Sequence, residues 1–169
     1  MSYYAHITEC SSKLARRFDT RDPFKIAEAL GIKVMYSDAL NRLKGMYRVI
    51  KRNRVIILNA NNSKHMNRII MAHELGHDQL HREYAKANGL QEFQLYDMAS
   101  QQEYEANLFA ADLLLPDDEI LEYIYEGYDT VQIAAATGTD INLVALKVDV
   151  LNRNGYQFRG QDHNSKFLK

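Results

Sequence analysis

The chain of 169 residues has one cysteine, no tryptophan, two prolines and a net charge of only −1. Each scarcity excludes something. A lone Cys10 makes no internal disulfide, which excludes a small disulfide-stapled secreted fold and points to a reducing cytosol. Cys10 as a catalytic thiol is the less ordinary reading, because it lies in a helix-like stretch where structural cysteine is commoner. No apolar run nears the ~18 residues that a membrane span needs. The start, Met1-Ser2-Tyr3-Tyr4-Ala5-His6, lacks a basic segment followed by an apolar core, so no signal peptide is expected. Repeats and low-complexity segments are absent. The near-neutral balance predicts neither a membrane partner nor direct nucleic-acid binding. What is left, 46% hydrophobic and 25% charged, is a globular composition sized for one domain or one with a small appendage.

Charge is distributed unevenly. Residues 1–72 hold 14 Lys+Arg and five Asp+Glu, residues 73–126 hold two and 13, and residues 127–169 hold five and four. Much of the basic excess lies between Arg42 and Arg54. A solvated strand face is the ordinary reading of that stretch, and a contact surface for an acidic partner is the sharper one.

Taken in order, Tyr4, Ile7, Leu14 and Phe18 recur at helical spacing and predict a helix over residues 3–18. Asp22 and Pro23 open a second helix and Gly31 closes it. Residues 32–36 alternate as a short strand. Residues 45–50 and 55–58 predict a hairpin joined by Lys51-Arg52-Asn53-Arg54. The unbroken Val55-Ile56-Ile57-Leu58 suits a central strand. The segment 59–63 offers N-caps for a helix over residues 66–81, and residues 82–99 are irregular with a turn signal at Asn88-Gly89. Ser100-Gln101-Gln102-Glu103 has the form of a capping box opening a helix to Leu115, which Pro116 ends. A short helix over 117–125 and two helical patterns over 130–152, joined at Thr137-Gly138-Thr139, complete the chain, with a frayed polar tail from Gly160.

The helix over 66–81 contains His73-Glu74-Leu75-Gly76-His77, an H-E-x-x-H motif. Residues four apart share a helix face, about 6 Å apart along the axis, so His73 and His77 can address one metal ion from successive turns. Glu74 is rotated about 100° from His73, where a carboxylate can take a proton from water without ligating the metal. Gly76 costs about 1 kcal/mol of helix stability relative to Ala, and close approach of another segment would compensate for it. A catalytic zinc needs a third protein ligand. His81 lies ~12 Å along the axis from His73, too far for ~2.0–2.1 Å bonds, and reads as a rim residue. Glu103 has a local explanation as the capping-box carboxylate. Glu105 shares a face with Leu108, Phe109 and Asp112, and an acid on an apolar face must be paired or metal-bound, so Glu105 is the expected ligand. Asp112 has two equal readings: an outer partner for the free N–H of His73 or His77, or a partly exposed helix carboxylate. Tyr47 and His65 flank the motif helix as candidate oxyanion donors, each with a structural role as its more ordinary reading.

His73-Glu74-Leu75-Gly76-His77, the trailing His81, and Glu105-Ala106-Asn107-x-Phe109-Ala110-Ala111-Asp112-Leu113-Leu114-Leu115-Pro116 resemble the ImmA/IrrE group of zinc metallopeptidases, as does Ala29-Leu30-Gly31-Ile32 ahead of the hairpin. The resemblance covers about residues 20–155. It implies one zinc per chain held by His73, His77 and Glu105, with Glu74 as general base. It also implies a cytoplasmic, gluzincin-like endopeptidase acting on a helix-turn-helix repressor, as in the anti-repressor proteases of integrative elements and temperate phages. The expected fold is α+β, mostly helical, with a small three-stranded sheet packed on the motif helix as in zincins. Expected boundaries are a metallopeptidase domain over 1–126, a helix-turn-helix-like hairpin over 127–159 packed on it, and a flexible tail over 160–169. The hairpin feeds the alternative, a DNA-binding regulator with a structural zinc. Charge opposes it, since residues 129–155 hold three Asp, one Lys and one Arg, and a structural zinc calls for four protein ligands.

Overall fold

A computed structural model describes residues 3–87 and 101–158. Within them run α1 (Tyr3–Phe18), α2 (Pro23–Ala29), β1 (Lys33–Ser37), β2 (Gly45–Ile50), β3 (Asn53–Asn59), α3 (Lys64–Leu80), α4 (Arg82–Ala87), α5 (Gln101–Leu114), α6 (Asp117–Tyr125), α7 (Thr130–Thr137) and α8 (Ile141–Arg153). The class is α+β, mostly helical with one small sheet, as the sequence predicts.

The expected punctuation operates. Asp22 accepts a hydrogen bond from the Phe24 N–H, and Pro23 occupies the first turn of α2. Beyond that helix Gly31 takes φ +69°, letting Gly31 N–H bond Glu28 C=O and Ile32 N–H bond Ala27 C=O. Ser63 caps α3 by accepting from Met66 N–H, and Asp129 and Gln132 form a reciprocal capping box on α7. One segment departs from expectation. Residues 82–87, read as irregular, form α4, because Ala85 N–H bonds His81 C=O and a new helix starts where α3 ends. No apolar periodicity announces so short a helix. The Asn88-Gly89 turn signal, Ser100 and the tail from Gly160 lie outside the described residues.

The sheet order is β1-β3-β2, with β1 parallel and β2 antiparallel to β3. The Val55–Leu58 run is the centre strand, and its Val55, Ile56 and Leu58 are buried. β2 and β3 meet through a two-residue turn at Lys51 and Arg52, whose φ values of +48° and +70° belong to a primed hairpin turn.

Helix α3 lies under the sheet, buried without a break from Ile69 to Asp78. Helix α5 crosses it antiparallel: His73 meets Asn107, His77 meets Glu103, and His81 meets Gln102. The crossing point is Gly76, where a Cβ would lie 3.0 Å from Ala106 Cα and 3.1 Å from Ala106 O. The helix-weakening glycine therefore has the compensation its position predicts. On its other sides α5 packs on α1 and α8, and Leu108 and Phe109 share one apolar cluster with Leu143, Val144 and Leu151 of α8.

Replacement Gly76→Ala tests this packing. Alanine favours the helix by about 1 kcal/mol. The added methyl, however, meets backbone that cannot move aside, and overpacking costs typically ~1–3 kcal/mol. Thermal unfolding should show a lower Tm for the variant. A raised Tm would mean that α3 and α5 do not meet at Gly76.

Candidate metal centre

Three side chains converge where α3 and α5 cross. His73 Nε2 and His77 Nε2 lie 3.1 Å apart. Glu103 places Oε2 3.2 Å from His73 Nε2 and Oε1 3.2 Å from His77 Nε2. All three residues are buried, and among the described residues they are the group whose donor atoms could hold a metal ion. Four ligands set tetrahedrally around zinc at ~2.0–2.1 Å are themselves ~3.3 Å apart, so these spacings and this nitrogen–nitrogen–oxygen set fit such an ion.

Electrostatics match the geometry. Burial raises the Glu103 carboxyl, but hydrogen bonds and the field of His73 and His77 outweigh it and hold the pKa down at about 2. Burial opposes a charge on His73 as well, yet Glu103, aided by Glu74 and Asn107, lifts its pKa above the ordinary value. For His77 burial prevails, joined by repulsion from His73, and the pKa falls to about 4. A neutral His77 beside an ionised Glu103 is the state in which both offer lone pairs to a cation.

Glu74 is buried beside this triad, with its carboxylate against strand β2. Its pKa is pushed up to about 7 by burial, with a further rise from Glu103 opposed by His73 and a hydrogen bond from the Tyr47 backbone N–H. The first residue of β2 covers it: a Cβ on Gly45 would lie 3.3 Å from Glu74 Oε1 and 2.4 Å from Ile70 Cγ2, so only glycine fits there.

The structure places two of the candidate acids away from the histidine pair. The carboxylate that joins the histidines is Glu103, and Glu105 lies two residues further along α5, with Oε2 3.4 Å from His81 Nε2 and Oε1 2.9 Å from Gln101 Nε2. Burial raises the Glu105 carboxyl and lowers the His81 imidazole. The apolar-face argument fails because α5 is buried on nearly every side from Ala106 to Leu114, so Leu108 and Phe109 mark no particular face. Asp112 touches neither histidine. Its Oδ1 is 2.6 Å from Lys147 Nζ, and its Oδ2 accepts from Ser11 Oγ, which ties α1 and α8 to α5. The outer partner of His73 is Asn107, whose Oδ1 lies 2.8 Å from His73 Nδ1. Asn107 lies four residues beyond Glu103, so it shares the helix face that the packing of α5 on α3 turns towards His73.

The candidate oxyanion donors lie elsewhere. The Tyr47 hydroxyl donates to Asp78 Oδ1 at 2.8 Å, and burial followed by the Asp78 charge raises its pKa. His65 is exposed at the start of α3, its ring 3.7 Å from where a Gly138 Cβ would be.

The profile of the IrrE N-terminal-like domain of peptidase M78 matches residues 27–148. An "Uncharacterized immunity region protein 2" of Bacillus phage phi105 is 31% identical over 144 residues, which cover 85% of this chain and 90% of that protein. A solved structure described as a Mycobacterium tuberculosis transcriptional regulator superposes with a TM-score of 0.61 at 17% identity. That match takes in 85% of this chain and 46% of the other, so this chain spans about half its length and the likeness is one of fold. The span matched by the profile includes the sheet, the H-E-x-x-H helix and all three converging side chains, and the chain belongs to the ImmA/IrrE family of M78 peptidases.

Proposed function

We propose that this chain is a zinc-dependent endopeptidase of the cytoplasm. It cleaves a helix-turn-helix transcriptional repressor and so releases a phage or mobile element from repression. The observation that carries the reading is the convergence of His73 and His77 Nε2 with the Glu103 carboxylate at 3.1–3.2 Å beside a buried Glu74. The immunity-region name of the phage relative supports the repressor as substrate class.

His73, His77 and Glu103 hold the zinc in this reading. Asn107 accepts the Nδ1–H of His73, which leaves the Nε2 lone pair directed at the shared point. When bound, zinc acidifies a water molecule and polarises the scissile carbonyl. Glu74, whose carboxyl burial raises above the ordinary carboxylate range, is the base that takes a proton and returns it to the leaving amine. The Tyr47 N–H and the Gly45 backbone keep its carboxylate in place while it does so.

The rival reading as a DNA-binding regulator loses support in α7–α8. Lys147, the only lysine of that hairpin, is 1% exposed against Asp112 and Asp117, and Arg153 stacks 4.4 Å over the Tyr4 ring. Those positions suit a hairpin that packs on α5 rather than one that contacts phosphates.

Incubation with the repressor encoded beside its gene, with and without a chelator, tests the function by mass spectrometry of the products. Metal-dependent scission at one bond is expected, and an intact repressor in the presence of the metal-loaded chain would sink the proposal. Glu74→Gln should keep its zinc and lose about 10²–10⁴-fold in cleavage rate, the usual weight of a general base. Loss of metal in that variant would make Glu74 a ligand. Elemental analysis separates the two neighbouring acids: Glu103→Ala should fail to retain zinc, whereas Glu105→Ala retains it. Zinc bound by Glu103→Ala and lost from Glu105→Ala would reverse the ligand assignment. Asn107→Ala should weaken zinc by ~10–100-fold in competition with a chromogenic chelator. An unchanged affinity would remove Asn107 from that role.

A further inference from the structure

The far end of the sheet carries a second feature. Among the described residues a cleft of about 610 Å³ is lined by Val49, Lys51, Arg52, Arg54 and Arg82, four cations and no acid. It lies between the β2–β3 turn and the junction of α3 with α4. Beneath it Asp78 is fully buried and pairs at 3.0 Å with both Arg54 Nη1 and Arg82 Nη2, and Arg54 also reaches the Leu30 carbonyl. One carboxylate thus anchors two guanidiniums in a fixed orientation, while Lys51 and Arg52 stand exposed at the rim. Among the described residues, four positive charges over one negative leave an excess of three, concentrated in a concavity where the field is focused.

The turn adds an independent observation. Lys51 and Arg52 both hold positive φ, +48° and +70°, a conformation in which Asn-Gly is the favoured pair. Each non-glycine residue there costs roughly 1–2 kcal/mol. Turn chemistry does not account for two long cations in those places. Strand β2 then links the two ends of the molecule. Its first residue, Gly45, covers Glu74, and its last, Ile50, precedes Lys51. Five residue steps at ~3.3 Å separate them by roughly 17 Å, the span of about five residues of extended peptide.

We infer that this basic cleft is an exosite for an acidic segment of the protein substrate, bound some five to six residues from the bond that is cut. The inference rests on the peptidase reading, and it deepens that reading by naming a feature of the substrate. An acidic peptide satisfies the charge, and the strand running from the cleft to Glu74 gives that peptide a reason to be there. Nucleic acid is less suited, because the cations gather in one cleft and α7–α8 adds none to it.

The test is fluorescence anisotropy of a labelled oligoglutamate peptide with the full chain, compared with Lys51→Asn/Arg52→Gly. That double variant replaces two cations with the pair the turn prefers, so it should raise Tm while weakening the peptide at least about tenfold, with binding that falls steeply as salt rises. Equal affinity in both proteins, or no peptide binding to the parent chain, overturns the exosite. Binding instead of a duplex oligonucleotide, lost in the same variant, overturns it in favour of nucleic acid. The measurement needs no cleavage, so the two readings fail separately. Repressor cut equally well by parent and double variant sinks the exosite alone. Peptide binding by a chain that cuts no repressor sinks the peptidase and with it the substrate role of the cleft.

Discussion

The backbone contact between Gly76 and Ala106 is the constraint on which the site depends. With no side chain between them, α3 and α5 approach until residues one turn to either side meet directly. His73 then reaches both Asn107 and Glu103, and His77 reaches Glu103. A helix separation larger by the width of a methyl group would move the carboxylate out of range of one ring. Glycine in the middle of a helix is a local defect of about 1 kcal/mol, offset here because it sets the distance at which three side chains converge.

Burying acids so close together requires each to have its own counter-charge. Glu103 takes the histidines, Asp78 takes Arg54, Arg82 and the Tyr47 hydroxyl, and Asp112 takes Lys147 and Ser11. These pairings also connect the architecture. Asp78 fastens the sheet to α3 just after the second histidine, and Asp112 fastens α1 and α8 to α5 below Asn107. Buried ion pairs of this kind contribute less to net stability than to orientation, since desolvation offsets most of their attraction. Orientation is what the site needs: α3 cannot rotate without separating Arg54 from Asp78, nor α5 without separating Lys147 from Asp112.

Between these clamps Glu74 occupies a different environment from Glu103, although both are buried carboxylates that act on His73. Glu103 faces two imidazoles and is held ionised, whereas Glu74 faces the backbone of β2 and is pushed towards neutrality by burial. The different protonation of the two acids thus follows from which wall each one faces.

Much of this was legible from residue order because it depends on local geometry. The i, i+4 spacing of His73 and His77, the N-caps Asp22 and Ser63, the left-handed Gly31, the hairpin and its central strand are all set by interactions within a few residues. Gly76 belongs with them, because a glycine in a helix that must hold ligands signals close contact. The third carboxylate does not. Periodicity within α5 places Glu103 and Glu105 on different faces but cannot say which face α3 meets, and burial of α5 on almost all sides erases the apolar stripe that would have said so. For Asp112 residue order leaves two readings open, a partner of a histidine or a partly exposed carboxylate, and the packing of α1 and α8 shows neither: it is buried against Ser11 and Lys147. The sequence by itself determined the helices, the strand order within the hairpin and the two histidines, since these rest on contacts between near neighbours. Tertiary structure alone decided that Glu103 completes the cluster and that Asn107 orients it, because the rotation of one helix against another is set by contacts with the whole of the surrounding core.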